Sequence, residues 1–347
     1  MAVTAETEIL AEQPTSDRPA RVLGIDSLRF VLASIVVLSH LGPIPIIEPP
    51  QGSILAGLLG NMFVGIAAVI AFFVISGFCI HLPYANGKTL NMRSYFVRRE
   101  VRILIPIAAA FAIGFVIHDF RFVGVLWSVV CEEIYYALYP CLLWFRWRFG
   151  WLPLMSLAVA GSLSVLMLVP ISGDFHAPGF LFTWLLALPI WLLGCILAEQ
   201  LDGIPSWNKP RIYIWGLRLG MMATASVCSY LRFHRGISYE LTLLPFGLLV
   251  FYWIRAEISY ARKFAPSARL ESFGNASYTI YLTHWLAIAI LGLLVDETKH
   301  GVVQWLLTAF SIAIFAWLFY LLVEGPSHKL ARRLGRRLEA VRTSPDS

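Results

Sequence analysis

The sequence predicts an all-α, polytopic membrane protein of about ten transmembrane helices, with both termini in the cytoplasm. Three observations lead to that expectation. Apolar residues make up 58% of the 347 and charged residues only 14%, and the mean hydropathy of +0.72 is far outside the range of soluble domains. Apolar runs close to bilayer-spanning length follow one another along almost the whole chain. The loops between them alternate between rich and poor in Lys and Arg.

In chain order the candidate spans are 24–42, 62–82, 103–118, 122–145, 152–171, 179–200, 212–231, 240–255, 277–295 and 303–323. The third is short, and the apolar run of the second reaches back to Ile54. One set of loops carries Lys88, Arg93, Arg98, Arg99 and Arg102; Arg146 and Arg148; Lys209 and Arg211; and Arg255, Arg262, Lys263 and Arg269. In the alternate loops, ISGDFHAP has no Lys or Arg, DETKHG has only Lys299, and RFHRG, with Arg232 and Arg235, is the exception. Positive charge marks the cytoplasmic side. The pI of 9.1 therefore reflects topology and carries no nucleic-acid signal.

Residues 1–20 contain Glu6, Glu8, Glu12 and Asp17 and lack the basic start of a signal peptide, so they read as a disordered cytoplasmic tail. Residues 21–331 form one transmembrane domain, and 332–347, with KLARRLGRRLEAVR running into it, a basic cytoplasmic tail drawn to anionic lipid. Cys79, Cys131, Cys141, Cys195 and Cys228 lie in apolar spans without CxxC spacing, and read as buried apolar side chains, not as disulfides or metal ligands. The sequon at Asn275 falls on the cytoplasmic side and carries no meaning there.

An ionisable residue inside a span marks a functional site by default, because charge in hydrocarbon costs about 2.5–3.5 kcal/mol on insertion scales. The first span holds Asp26, Arg29 and His40, the fourth Glu132 and Glu133, the ninth His284. His81, Glu199, Glu240 and Glu324 lie near span ends, where interface or packing roles suffice. Arg29 and His40 are eleven residues apart, which returns them to the same helix face after about three turns. Asp26 and Arg29 are an i,i+3 pair that neutralise each other. Glu132 and Glu133 point about 100° apart, one towards a polar cavity and the other towards a partner such as Arg29. In the loop before the third span, Arg98 and Arg102 share a face and match phosphate oxygens, although positive-inside anchoring explains them as well.

Six segments, in order, resemble the acyltransferase 3 family of integral-membrane O-acyltransferases. GIDSLRFVLASIVVLSH is similar to the family's opening segment with its Arg and His, FFVISGFCI (with Ser76) to its FFVLSGF segment, and RREVRILIP to its RRxxR…P stretch. LWSVVCEEIYYALYP (with Ser128) is similar to its LWSLSVEEQFYLLYP helix, SYTIYLTHW to SYSLYLWHWP, and LLVEGPSHKLARRL to its terminal IERPFRRL. The chain departs from the pattern in the missing glycines around Arg29, in CEEIYY, in THWL without proline, and in a short stretch from Ile113 to Trp127.

The resemblance implies a single membrane module in the plasma (inner) membrane. It implies transfer of an acyl group, usually acetyl, from cytoplasmic acyl-CoA to a hydroxyl of a surface polysaccharide, lipid-linked glycan or secondary metabolite, without a metal. His40 maps onto the family's essential histidine, Arg29 onto its paired arginine, Glu132 and Glu133 onto its acidic positions, and Arg98, Arg99 and Arg102 onto its basic motif. The expected division is His40 as general base oriented by Glu132 or Glu133, Arg29 stabilising developing negative charge, and Arg98, Arg99 and Arg102 holding CoA phosphates. Asp26, Ser76, Ser128, His284 and Glu324 are expected to support them. The competing class is a proton-coupled transporter or flippase using the same polar residues.

Overall fold

A computed structural model describes residues 22–46, 53–169, 180–295 and 301–343. The expected N-terminal tail, the ISGDFHAP loop and the core of the DETKHG loop lie outside those residues. The described residues form α1 (Ile25–Leu41), α2 (Ile54–Gly60), α3 (Gly65–His81), α4 (Met92–Ile117), α5 (Leu126–Phe149), α6 (Trp151–Leu168) and α7 (Phe180–Glu199). They continue through α8 (Arg211–Arg235), α9 (Tyr239–Lys263), α10 (Ala268–Gly274), α11 (Ser277–Gly292), α12 (Val302–Phe319) and α13 (Gly325–Thr343), with no strand among them. Every one of the ten expected spans falls on a helix. Among the described residues, seven helical segments are long and apolar enough to cross a bilayer, and α11 is a shorter apolar helix.

The burial pattern is that of a membrane protein. Phe115, Leu152, Met167 and Leu168 are 71–81% exposed on the outside of the bundle, large apolar side chains that a soluble surface would not gather. The interior is built on α3 and α7, where Phe73, Phe78, Ile190 and Trp191 are almost fully buried. These helices touch backbone to backbone. A Cβ on Gly77 would run into the Trp191 carbonyl, and one on Gly194 into the Val74 carbonyl. Small residues at such crossings are the usual means of close helix packing in a bilayer, where hydrophobicity does not drive helices together.

Three features differ from the sequence expectation. The arginine-rich stretch is not a loop but the opening turns of α4, which starts at Met92; Asn91 caps it by accepting the Ser94 N–H at 3.1 Å. Hydropathy places the span start too late because those turns are polar, although Arg and Leu are good helix formers. The expected basic C-terminal tail is helical to Thr343 as part of α13, which packs along α4: Arg98 pairs with Glu339 at 2.5 Å, and the Ser94 hydroxyl donates to the same carboxylate at 3.0 Å. Of the cysteines, Cys131 and Cys195 are buried, Cys79 and Cys228 half-buried, and Cys141 is exposed, so the burial expected of all five holds for two.

Two buried carboxylates fix helix starts. Glu271 of α10 accepts the Gly24 and Ser27 N–H groups at 3.1 Å each and the Ser27 hydroxyl at 2.5 Å. Glu324 lies in a π-helical turn, Tyr320–Glu324, between α12 and α13, and accepts the Thr279 N–H at 3.2 Å together with the Thr279 hydroxyl. Each meets amide groups that a helix start leaves without intrahelical partners, and each places negative charge at the positive end of a helix dipole. The π turn is the device that swings Glu324 onto α11. Together they fix α1 and α11, which carry Arg29, His40 and His284.

Candidate active site

Several of the ionisable residues expected from sequence, Arg29, Arg99, Arg102 and Glu132, gather between α1, α3, α4, α5 and α11. A cavity of about 120 Å³ there is lined by Arg29, Ser76, Arg99, Arg102, Ser128, Glu132, Tyr136, Tyr278 and Tyr281 among others. Ser128, Glu132 and Tyr136 recur every four residues on α5 and so present one stripe to it. The Tyr136 hydroxyl donates to Glu132 Oε2 at 3.1 Å, and the Ser76 hydroxyl meets Tyr136 Oη at 3.0 Å. Trp191 Nε1–H donates to Ser76 Oγ at 3.2 Å. Trp191, Ser76, Tyr136 and Glu132 thus form one connected polar chain across α7, α3 and α5. Arg29 and Arg102 are the cations that act on Glu132, and the Arg99 guanidinium sits 5.8 Å from the centre of the Tyr136 ring.

Three guanidinium groups thus face one carboxylate at the lining. That excess of positive charge suits an anionic ligand. A second cavity, of about 660 Å³, lies across α1 between α3, α8, α9 and α10, but its walls are mainly apolar. At one end Arg218 and Glu257 neutralise each other through two 2.8 Å hydrogen bonds. The smaller cavity is the candidate site, because charge-stabilising and proton-transfer chemistry needs convergent polar groups rather than volume.

His40 lies at the other end of α1, exposed at its outer edge. Its imidazole is nearly parallel to that of His284, with ring centres 4.9 Å apart and His284 Nε2 3.0 Å from His40 Nδ1. Trp285 flanks the pair, 5.2 Å from His40. His284 is fully buried, and its Nδ1 lies 2.8 Å from the Tyr281 carbonyl oxygen. Tyr281 joins the two regions, since its ring lines the cavity while its carbonyl holds His284. Its hydroxyl donates to the Val125 carbonyl at 2.8 Å and stands 2.7 Å from Ser128 Oγ.

The structure therefore redistributes the expected roles. Arg29, Arg99, Arg102, Glu132, Ser76 and Ser128 come together; Arg98 does not, and is directed at α13. Glu133 turns towards Glu100 of α4 and is absent from the lining. Neither glutamate orients His40: its partners are the Val36 carbonyl one turn back on α1 and His284, which the sequence marked only as supporting. Asp26 stands 3.9 Å from Arg29, a loose contact that leaves the arginine facing the cavity. Glu324 supports the site from outside it, as the cap of α11.

Sequence reasoning missed Tyr136, Tyr281, Glu271 and Arg121. The first two follow from helical spacing, four residues after Glu132 and three before His284. Arg121, in the short turn between α4 and α5, pairs with Asp119 at 2.8 Å and lies 5.6 Å from the centre of the Trp285 ring, beside the histidines. No spacing announces it. Among the described residues, no group of three or more His, Cys, Asp or Glu is placed to hold a metal ion.

A helical membrane bundle that gathers three arginines and a glutamate at one cavity, and sets His40 against the buried His284 farther along, defines a membrane protein with an internal polar site. The chain belongs to the acyltransferase domain family Acyl_transf_3, whose sequence model matches residues 22–321 and so most of its length. No curated protein and no solved structure matches it.

Proposed function

We propose that the protein is an O-acyltransferase of the plasma membrane that moves an acyl group, acetyl foremost, from cytoplasmic acyl-CoA to an acceptor hydroxyl. The acceptor class is a sugar of a surface polysaccharide or lipid-linked glycan, or a secondary metabolite. The observation that carries this reading is the convergence of Arg29, Arg99 and Arg102 on one cavity at the end of the bundle that loop charge assigns to the cytoplasm. His40 lies about three helical turns farther along α1. Guanidinium groups are suited to the phosphates of CoA, and an imidazole with an open edge is suited to take a hydroxyl proton.

In this mechanism Arg99 and Arg102 hold the CoA phosphates, and the pantetheine arm runs along α1 towards His40. The acceptor oxygen adds to the thioester carbonyl carbon while its proton passes to His40. Arg29 supplies positive charge on the donor side, and Glu132 holds Arg29 and Arg102 against mutual repulsion. The tetrahedral intermediate collapses, the C–S bond breaks, and the CoA thiolate recovers the proton from the imidazolium. Positioning the two reactants removes much of the entropic barrier, and a positioned base contributes about 10²–10⁴-fold.

The test is movement of label from acetyl-CoA into an acceptor extract of the producing cells by purified protein. His40→Ala is expected to abolish transfer while leaving the folded fraction in detergent unchanged. Full transfer by that variant overturns the role of His40, and solute flux in liposomes without acyl-CoA overturns the enzyme reading.

A further inference from the structure

The histidine pair fixes more than proximity. The Tyr281 carbonyl oxygen can only accept a hydrogen bond, so His284 Nδ1, 2.8 Å away, carries the proton. A neutral imidazole has one N–H and one bare nitrogen, which leaves His284 Nε2 as an acceptor. His40 Nδ1 stands 3.0 Å from that bare nitrogen and must donate to it, with the Val36 carbonyl of α1 as a second acceptor beside the ring. His40 therefore carries its proton on Nδ1, and its Nε2 is the bare nitrogen. We infer that His284 is a positioning residue that locks His40 in the Nδ1–H tautomer, so that Nε2 is the atom that receives the acceptor proton; this rests on the reading of His40 as the base.

The arrangement assigns to an imidazole the part that a carboxylate plays in a Ser-His-Asp triad. The substitution has a physical reason in this setting. A carboxylate beside His40 would place a permanent charge at the buried position of His284, which is fully shielded, and an unpaired buried anion is costly. A neutral acceptor fixes the tautomer without that charge. When His40 takes the acceptor proton, its Nδ1–H remains directed at His284 Nε2, so the same hydrogen bond serves both protonation states and no group has to rotate during transfer. The near-parallel rings, 14° apart, and the flanking Trp285 restrict the imidazole to that orientation.

The decisive measurement is nitrogen NMR of protein labelled with ¹⁵N-histidine in detergent micelles, with His40 assigned by loss of its signals in His40→Gln. Wild type is expected to show His40 with a pyrrole-like Nδ1 and a pyridine-like Nε2. His284→Phe is expected to release it into a mixture of tautomers and to lower kcat for transfer from acetyl-CoA by about 10²-fold, with the acetyl-CoA KM changed less than about twofold. His284→Gln offers an amide N–H to Tyr281 and an amide oxygen to His40, and is expected to restore both the tautomer and kcat to within about tenfold of wild type. A wild-type His40 protonated on Nε2, or a tautomer unchanged in His284→Phe, overturns the inference. So does an inactive His284→Gln that retains the wild-type tautomer. An active His40→Ala overturns instead the assignment of the base, and does so without touching the NMR result.

Discussion

The hydroxyl of Tyr136 donates its proton to Glu132 Oε2 at 3.1 Å, one turn away on the same face of α5. That bond turns the carboxylate into the cavity that also holds Arg29 and Arg102. Among the named lining residues it is the one carboxylate facing three guanidinium groups.

Glu132→Gln should keep the acceptor for Tyr136 and lose the charge. The expected result is a loss of about 10²-fold in kcat/KM for acetyl-CoA, because the arginines that hold the donor are then less well placed. Tyr136→Phe removes one hydrogen bond to a charged group and should cost about tenfold, on a free energy of about 1.5–3 kcal/mol for such bonds. Steady-state kinetics on matched folded fractions check both, and equal activity in Glu132→Gln and wild type refutes the electrostatic role.

The three arginines of the RREVR segment should separate in kinetics. Arg99→Ala and Arg102→Ala are each expected to raise the acetyl-CoA KM about tenfold or more, since each removes a charge-assisted contact from the cavity. Arg98→Ala is expected to leave that KM within about twofold. Arg98 binds Glu339 across half-exposed side chains, and ion pairs of that kind contribute about 0–1 kcal/mol. Calorimetric titration with CoA gives the comparison directly; equal losses in all three return the segment to a single phosphate-binding motif.

Removing the cap on α1 should weaken the fold rather than the chemistry. Glu271→Ala leaves the Gly24 and Ser27 N–H groups without their acceptor, and about 1–3 kcal/mol of stability should go with it. Glu271→Gln should recover part of this, since an amide oxygen still accepts. Thermal unfolding in detergent, followed by tryptophan fluorescence, distinguishes the two; an Ala variant as stable as wild type refutes the capping role.

Gly77→Val tests the α3–α7 contact. A side chain at Gly77 meets the Trp191 carbonyl, which is backbone and cannot swing aside. Overpacking of this kind costs about 1–3 kcal/mol where side chains can adjust, and more where they cannot. The expected outcome is a sharp fall in folded yield by size-exclusion chromatography, whereas Gly216→Val, at a glycine facing open space, should behave as wild type.

Much of this was legible in the sequence. Composition and apolar run length determined the membrane class and the all-helical architecture, because a bilayer admits little else for apolar runs of that length. The scarcity of charge inside those runs picked out Asp26, Arg29, His40, Glu132, Glu133 and His284 alike, since each is costly in hydrocarbon. The eleven-residue spacing placed Arg29 and His40 on one face of α1. The choice of partners was decided only by the tertiary structure. Hydropathy assigned RREVR to a loop, whereas in α4 the Arg98 side chain pairs with Glu339 of α13 while Arg99 and Arg102 line the cavity. Glu132 and Glu133 were equivalent as letters, and the facing α4 separates them by turning Glu133 onto Glu100. His40 and His284 are 244 residues apart, and nothing local to either indicates the other. Helical periodicity reports which side of its own helix a residue occupies; the neighbour it meets depends on how the helices cross.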